Sequence, residues 1–413
     1  MVSLPNRVGT LSSQAAVAGL AVAFGTLSGC YDDNNPNLPP IIPTPNSIVV
    51  ADVNGDGSPD LLVATTADEG YALNPGYADV ILNTAGTFQT GVHYSTTGTN
   101  PSSIQAVDLT GGNGPVDLII ANFGSGSVSV FMHGASLGTF DTAVDVVTGG
   151  QPNHVVASDL NGDGKPDLVL ADMSSTGNAI VLLADPAHPG QFLAMNLPTG
   201  LTTPSVAVGD LDRDGFPDIV AAVYDSAGNN GAVMVFYQNP DGSFRAPVSV
   251  PAGAQPQSVK IADVNGDGRP DLIVANFGPG ADGMGAAGVS VLLQDTAGSF
   301  STPVTYTTPG GSIDVAVADV NDDQKPDLVV ANLAPSNTGS VSVLLQDPDP
   351  AHPGEFLAAT TYPALSQPLS VTIADLNGDH HPDIAIADGP SAGVLMQDAA
   401  SPGKFGAVTQ VGF

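Results

Sequence analysis

The stretch Ser258-Val-Lys-Ile-Ala-Asp-Val-Asn-Gly-Asp-Gly-Arg-Pro-Asp-Leu-Ile-Val-Ala-Asn276 decides the fold of this chain. Its first part, residues 258–262, alternates polar and apolar side chains, which is typical of a half-buried β-strand. Its last part, residues 271–276, is a denser apolar run that predicts a second and more fully buried strand. The residues between them are mainly Asp, Asn, Gly and Pro, which favour turns over regular structure. The stretch therefore predicts two strands joined by an acidic loop.

The same unit recurs along the chain at intervals of 51 to 56 residues, with loops beginning at Asp52, Asp108, Asp159, Asp210, Asp263, Asp319 and Asp375. In the copy quoted above, a third strand is predicted over Val289–Leu293 and a fourth over Phe300–Tyr306. Four short strands in about fifty residues form one blade of a β-propeller. The period of two excludes helical repeats of similar length. We therefore predict an all-β, seven-bladed β-propeller of four-stranded antiparallel blades over residues 46–413, with blades starting near residues 46, 102, 153, 204, 257, 312 and 369.

The repeated pattern Val-Ala-Asp-Val-Asn-Gly-Asp-Gly-x-Pro-Asp-Leu-x-Val-Ala resembles the FG-GAP (VCBS-type) repeats of integrin α-subunit propellers and of many bacterial exported proteins. The resemblance covers residues 46–413, and its specificity comes from repetition in register. It implies a calcium-binding propeller. It also implies that ligand recognition lies on the face of the ring that carries the loops after the second and fourth strands.

The acidic loop has the chemistry of a calcium site. In the quoted copy, side-chain oxygens fall at loop positions 1, 3, 5 and 9, which are Asp263, Asn265, Asp267 and Asp271, and Arg269 at position 7 offers its carbonyl. Calcium takes six to eight oxygen ligands in a flexible sphere, and Gly at positions 4 and 6 permits a tight turn. An ordinary Asn-Gly turn with solvated aspartates is the alternative. It does not explain carboxylates clustered in copy after copy, because they repel one another without a cation.

Six copies carry this ligand set, and we predict about six Ca²⁺ ions in total. Position-7 residues contribute through the backbone carbonyl. The predicted ligands are Asp52, Asn54, Asp56, Ser58 and Asp60 in blade 1; Asp159, Asn161, Asp163, Lys165 and Asp167 in blade 3; Asp210, Asp212, Asp214, Phe216 and Asp218 in blade 4; Asp263, Asn265, Asp267, Arg269 and Asp271 in blade 5; Asp319, Asn321, Asp323, Lys325 and Asp327 in blade 6; and Asp375, Asn377, Asp379, His381 and Asp383 in blade 7.

The seven copies of the loop differ in how closely they match the calcium-site pattern. Those of blades 1, 3, 4 and 5 are interpreted as fitting the pattern in full. Blade 6 has Asp322 and Gln324 where Gly is usual, and blade 7 has His380, so weaker sites are expected there. The copy from Asp108 to Asp117 has one extra residue and no carboxylate at the fifth position. This copy predicts a blade 2 without metal.

The N-terminus predicts export. Arg7 is followed by an apolar, small-residue run that ends in Leu27-Ser-Gly-Cys30, which resembles the lipobox of a bacterial lipoprotein signal peptide. The resemblance implies removal of the segment before Cys30 and lipidation of Cys30. An ordinary secretory signal with an incidental cysteine, or a membrane anchor, are the alternatives. Residues 1–30 are thus predicted to be the signal region, and the Pro- and Asn-rich residues 31–45 a tether.

The net charge of the chain disfavours some classes of binding partner. The chain has 41 acidic and 8 basic residues, with a formal net charge of −33. This balance disfavours nucleic acid, which needs basic patches, and electrostatic docking on anionic lipid. We predict membrane contact only through a lipid at Cys30, a location at the bacterial cell envelope or surface or outside the cell, and a monomer.

The sequence predicts a non-catalytic recognition scaffold with an unknown protein or glycan ligand. The seven histidines form no zinc-type spacing, and no Gly-x-Ser-x-Gly motif occurs. Recognition is expected on the variable second-strand loops (residues 65–77, 224–231 and 276–288) together with the connections from fourth to first strands. A calcium-dependent lectin is the alternative, although Trp is absent. A polysaccharide lyase is the third reading, and it would need basic residues that are scarce here.

Overall fold

The computed structural model describes residues 43–67, 75–112, 114–185, 187–188, 191–225, 231–278, 287–334, 339–389 and 391–412. The predicted signal peptide, Cys30, most of the tether and much of the long second-strand loops therefore lie outside the described residues. No helix among the described residues is long and apolar enough to cross a membrane.

Seven four-stranded sheets confirm the predicted propeller. For blades 1 to 7, the first strands are Pro43–Ala51, Pro101–Val107, Pro152–Ser158, Thr202–Gly209, Pro256–Ala262, Gly311–Ala318 and Pro368–Ala374. The second strands are Asp60–Ala67, Asp117–Asn122, Asp167–Asp172, Asp218–Tyr224, Asp271–Asn276, Asp327–Leu333 and Asp383–Asp388. The third strands are Pro75–Ile81, Ser127–Phe131, Asn178–Ala184, Ala232–Phe236, Gly288–Leu292, Ser340–Leu344 and Ser391–Leu395. The fourth strands are Val92–Thr99, Val144–Val147, Phe192–Pro198, Val248–Pro251, Val304–Thr307, Thr360–Pro363 and Thr409–Val411.

Two predicted boundaries are wrong. The first strand begins at Pro43, so Pro43–Pro45 belong to blade 1 and not to the tether, because they pair with residues 65–67 beyond a bulge. The fourth strand of blade 5 begins at Val304 and not at Phe300. Phe300 makes only an isolated bridge to Gln294 and packs into the hydrophobic cluster between blades 4 and 5. A short extra hairpin, Asn83–Thr84 with Thr87–Phe88, follows the third strand of blade 1.

Among the described residues, the hydrophobic core consists of seven clusters, one between each pair of adjacent blades. The second strands are buried on both faces, which explains their dense apolar runs. In blade 5, Leu272 and Val274 face blade 4, whereas Ile273 and Ala275 face blade 6. The alternation of side chains across a strand thus supplies two interfaces at once.

The first strands are innermost, because each contacts the first strands of both neighbours, and the contact between blades 1 and 7 closes the ring. Backbone N–H groups on the free edges of these strands donate hydrogen bonds to side chains of the adjacent blade. The backbone N–H of Ile104 donates to Ser47 Oγ at 3.4 Å, and that of Ile48 donates to Ser370 Oγ at 3.4 Å. One residue per blade occupies this position, and we call the set the inner belt: Ser47, Ser103, His154, Ser205, Ser258, Asp314 and Ser370. Each side chain bonds across a blade interface, so the inner belt joins neighbouring blades.

Neighbouring strands within every blade are antiparallel. The loops after first and third strands therefore lie on one face of the ring, which we call the acidic face. The loops after second strands and the connections between blades lie on the opposite face. The acidic loops follow the first strands, so all seven are on the acidic face.

Candidate metal centres on the acidic face

Each acidic loop is wound around its own first aspartate. In blade 5, Asp263 Oδ1 accepts the N–H groups of Gly266 and Asp267 at 2.8 and 3.1 Å, and Oδ2 accepts that of Gly268 at 2.7 Å. Asn265 Oδ1 accepts the N–H of Asp267 at 2.9 Å, and Asp267 Oδ1 accepts that of Arg269 at 2.9 Å. The side chains at positions 1, 3 and 5 therefore accept hydrogen bonds from the loop's own backbone, and the other oxygen of Asp267 contacts the Arg269 guanidinium.

This winding needs backbone in the left-handed region at positions 4 and 6. Gly266 and Gly268 have φ of 73° and 81°, values that Gly adopts without steric cost. Asp322, Gln324 and His380 reach 62°, 67° and 70° despite carrying a Cβ. These altered loops keep the same winding, since Asp319 Oδ2 accepts the N–H of Gln324 at 2.7 Å. The departures from Gly thus add strain without changing the loop's shape.

The loop of blade 4 does not fit the pattern in full, contrary to our interpretation. Arg213 occupies position 4 with φ of 59°. Its guanidinium donates to the carbonyl of Gly268 in the next loop at 3.3 Å. The long side chain therefore contacts the neighbouring loop, where Gly could not.

The aspartate at position 9 is buried and forms part of the blade's framework. Asp271 is 0% exposed; its Oδ2 accepts the N–H of Val264 at 3.0 Å, and its Oδ1 accepts that of Gln294 at 2.8 Å. The same pair of bonds recurs in all seven blades, at Asp60, Asp117, Asp167, Asp218, Asp271, Asp327 and Asp383. Each oxygen retains a second lone pair, so these bonds leave room for a cation.

Burial raises the pKa of Asp271 to about 6, against the opposing effect of its two backbone donors, and the charges of Asp267 and Asp263 raise it further. Burial likewise raises the pKa of Asp218 and of Asp327 to about 6. A carboxylate with a raised pKa beside other carboxylates is an arrangement that a bound cation would relieve.

Three carboxylates converge in blade 4. Asp210, Asp212 and Asp218 each place an oxygen within 4.8 Å of the others. Arg245 comes from the turn after the third strand of this blade; its Nη1 lies 3.1 Å from Asp212 Oδ2 and its Nη2 3.7 Å from Asp214 Oδ2. This loop of four carboxylates therefore has a guanidinium as a partner.

The loop of blade 2 is organised differently. Asp108 Oδ1 accepts the hydroxyl and the N–H of Thr110 at 2.6 and 2.9 Å, and Oδ2 accepts the N–H of Gly114 at 2.6 Å. Asp117 keeps the buried bonds of position 9. Between them no carboxylate stands at the fifth position. Blade 2 therefore retains the framework of the loop but not its full oxygen set.

The site residues that sequence reasoning missed are amides. Asn83, Gln238, Gln294, Gln346 and Gln397 follow the third strands, are buried, and contact the acidic loops. The recurring Leu-Leu-Gln-Asp at 292–295 and 344–347 is the signal that could have revealed them.

Fold and loops together define a β-propeller with a repeated acidic loop. A family model described as an FG-GAP-like repeat matches residues 112–170, 159–221, 210–274 and 319–386, and another, described as an FG-GAP repeat, matches residues 44–73. The matches to the first model cover more than half of the chain. This chain belongs to the FG-GAP-like repeat family.

Its relatives include integrin chains. Integrin alpha-IIb of Homo sapiens is 33% identical over 175 residues, which cover 35% of this chain and 17% of the integrin. Integrin alpha-5 of Xenopus laevis is 32% identical over 150 residues, which cover 30% and 14%. The chain thus spans less than a fifth of these relatives.

Among solved structures, a Bacteroides uniformis protein described as a candidate 6-phosphogluconolactonase matches with a TM-score of 0.55 at 14% identity. The match covers 88% of this chain and 96% of that one. At this identity the likeness shows the fold alone.

Proposed function

We propose that this chain is an exported, calcium-binding β-propeller that serves as a non-catalytic scaffold for recognition at the cell envelope or surface, or outside the cell, held there by a lipid at Cys30. The observation that carries the calcium assignment is the convergence of Asp210, Asp212 and Asp218 within 4.8 Å. Oxygens at this spacing suit a cation with ligands at 2.3–2.6 Å. The loops of blades 1, 3, 5, 6 and 7 repeat the same winding, so about six ions are expected.

In this proposal calcium is structural, and the opposite face recognises the partner. The acidic loops are tied into their own blades by buried carboxylates and contacted by the next blade, so their conformations are constrained. The loops of the opposite face differ in length from blade to blade, and variable loops on a rigid scaffold are where recognition usually lies. A protein partner is favoured over a polyanion, because the chain has a formal charge of −33.

Three of the seven histidines have structural partners, which favours a role for them without catalysis. His188 Nδ1 lies 2.8 Å from Asp185 Oδ2 within one turn, and His381 Nδ1 lies 2.7 Å from Asp322 Oδ2 between two loops. His154 belongs to the inner belt. Each of these side chains has a structural partner.

A lectin is the second candidate, and the aromatic residues weigh against it. Tyr306 packs edge-on against Phe356 of the next blade with ring centroids 5.5 Å apart, and its hydroxyl accepts the N–H of Phe356 at 3.1 Å. Tyr362 and Phe405 repeat this arrangement between blades 6 and 7. These rings hold blades together and are not free platforms for a sugar.

Calcium binding is tested by titrating the chelator-treated mature domain and counting ions by calorimetry and elemental analysis. We expect about six ions and a marked fall in melting temperature on chelation. Asp263→Ala should remove one ion, while Asp108→Ala, its counterpart in blade 2, should remove none. An unchanged melting temperature with EDTA would overturn the calcium assignment.

Recognition needs separate measurements. A pulldown with the calcium-loaded domain is expected to capture a protein partner, and a glycan array is expected to be negative. Specific glycan binding in calcium would favour the lectin, and release of unsaturated oligosaccharides from a polysaccharide would favour the lyase.

A further inference from the structure

The acidic loops are connected from blade to blade by buried side-chain amides. Gln294 of blade 5 donates from Nε2 to the carbonyl of Leu211, at position 2 of the blade 4 loop, at 3.0 Å. Equivalent bonds run from Gln238 to Leu160, from Gln346 to Val264, from Gln397 to Val320 and from Asn83 to Leu376. We call Asn83, Gln238, Gln294, Gln346 and Gln397 the bridging amides. The bond from Asn83 crosses the interface between blades 1 and 7, where the ring closes.

Each bridging amide is also bonded to the loop of its own blade. Its backbone N–H donates to the position-9 carboxylate, as Gln397 does to Asp383 at 2.7 Å. The second amide hydrogen of Gln397 reaches the carbonyl of Pro382, at position 8, at 2.8 Å. Asn83 and Gln346 make the same bond to Pro59 and Pro326. One side chain therefore holds two successive loops.

Position 2 lies between two cation ligands, and its peptide groups are fixed on both sides. In blade 4, the N–H of Leu211 donates to Asp218 at 2.9 Å, and its carbonyl accepts from Gln294. Fixing this residue fixes the separation of the side chains at positions 1 and 3. Rigid support of this kind lowers the cost of organising a binding site.

A second contact reinforces the connection. In the turns that follow Asn83, Gln346 and Gln397, a glycine lies against the position-3 residue of the preceding loop, whereas a Cβ added to Gly242 or Gly298, after Gln238 and Gln294, would meet nothing within 4 Å. A Cβ added to Gly354 would lie 3.1 Å from Asn265 Cβ, and one added to Gly403 would lie 3.1 Å from Asn321 Cβ. Gly86 contacts Asn377 in the same way, at 3.2 Å. In the loops of blades 5, 6 and 7, positions 2 and 3 are thus both held by the next blade.

The connection changes at blades 2 and 3. In blade 2, His133 stands at the amide position, and the backbone N–H of Gly138 donates to Val53 O of the blade 1 loop at 2.7 Å instead. In blade 3 the position is Ala184, whose methyl group cannot donate to Leu109 of blade 2. The blade 2 loop, which lacks the fifth-position carboxylate, therefore faces a residue without a side-chain donor, whereas the blade 1 loop is bonded by a backbone N–H.

We propose that the bridging amides are positioning residues that couple the acidic loops around the ring. Each bridging amide sets the calcium affinity of the loop in the preceding blade. The series is interrupted between blades 2 and 3. This inference rests on the proposed calcium binding.

The test replaces Gln294 by Met, which keeps the side chain's length but removes the donor. Hydrogen exchange with mass spectrometry across a calcium titration should show the blade 4 loop, residues 210–218, becoming protected at about tenfold higher calcium, because a buried carbonyl loses its partner. The blade 5 loop, residues 263–271, should shift by less than about twofold. Gln294→Glu should behave like Gln294→Met and guards against a packing effect of Met.

Gln257→Met is the matched control, since the amide of Gln257 donates to Gln255 O, away from both loops, at 3.2 Å. Equal shifts in both loops, or a shift confined to residues 263–271, would overturn the coupling. If no loop of the unmodified protein responds to calcium, the calcium proposal fails. The coupling is then judged from the metal-free protein, where Gln294→Met should still speed exchange in residues 210–218 and not in residues 263–271.

Discussion

The carboxylate of Asp117 accepts the backbone N–H of Leu109 at 2.9 Å, in the one blade whose loop lacks a carboxylate at the fifth position. Its other oxygen accepts the N–H of His133 at 2.7 Å. Asp117 is 2% exposed, so both bonds are shielded from water. The last aspartate of the loop therefore has a structural role, because its bonds join the first hairpin to the end of the third strand. Blade 2 keeps this role although its loop has no carboxylate at the fifth position.

Asp117→Asn should destabilise the domain whether or not calcium is present. The amide can accept from one of the two backbone donors, but it presents N–H to the other, and a buried unpaired group costs roughly 2 kcal/mol. Urea unfolding with calcium and with EDTA measures the loss, and the exposed Asp141→Asn in the same blade is the control. A loss seen only with calcium would show that Asp117 acts through a metal.

His380→Gly should stabilise the metal-free domain. The backbone of His380 has φ of 70°, whereas the position-6 glycines of blades 1 and 5 have φ of 88° and 81°. Removing the Cβ relieves a strain of about 1 kcal/mol, less the entropy that Gly adds to the unfolded chain. Thermal unfolding in EDTA is the measurement. His380→Ala removes the imidazole but keeps the Cβ, so an equal gain in both variants would contradict the argument from φ.

Blade number, strand order and loop placement could be predicted because they repeat within each blade. The acidic loop that ends at Asp271 and the apolar residues that follow it predict a turn and a buried strand from the local sequence alone. The role of Asp271 is only partly predictable: the sequence predicts a ligand, and the structure adds a bond from the backbone N–H of Gln294, which lies after the third strand. The oxygen atoms of each loop are close together in sequence, whereas the residues that hold the loop in place are distant in sequence.

Contacts between blades could not be predicted from the repeat pattern. Gln294 and Leu211 are 83 residues apart, and their meeting depends on how one blade is rotated against the next. Arg213 stands where Gly is usual, and its contact with the next loop is not visible in a repeat whose other positions fit the pattern. The inner belt is visible as a recurring serine, but what His154 and Asp314 do there follows only from the closed ring.

His154→Ser should remove one source of acid sensitivity. Burial, then the charge of Lys260, lowers the pKa of His154 to about 4, although Asp314 and the N–H of Val206 oppose the shift. The folded pKa is below the ordinary histidine value of 6.5, so the stability from neutral His154 is present above pH 6.5 and is lost as the pH falls toward 4. Between pH 7 and pH 5 the loss should be about 1–2 kcal/mol.

Ser occupies this position in five other blades, so His154→Ser should preserve an acceptor for Val206. Unfolding by urea in EDTA at the two pH values gives the comparison, and the half-exposed His352→Ser is the control. The buried aspartates of the acidic loops titrate in both proteins, and therefore the difference between them isolates His154. An unchanged pH dependence in His154→Ser would contradict this assignment.

The pair His93 and Asp79 gives a prediction at the interface that closes the ring. Asp79 is 0% exposed on the face of blade 1 that packs against blade 7, and its carboxylate accepts from Thr65 Oγ1 at 2.5 Å and contacts His93 Nδ1. Burial raises the pKa of Asp79, while Thr65 and His93 lower it. Removing the imidazole by His93→Thr should therefore raise this pKa further.

A folded pKa above the unfolded value of 3.8 favours the protonated form, so the stability of His93→Thr should fall as the pH rises through that folded pKa. At pH 7 we expect a deficit of roughly 2 kcal/mol, because a buried charge has lost its partner. Blade 5 carries Ser290 opposite Thr305 at these positions. The double variant Asp79→Ser, His93→Thr reproduces that neutral pair and should recover most of the loss with no pH dependence from this site. A double variant no more stable than His93→Thr would show that the fault lies in packing and not in the buried charge.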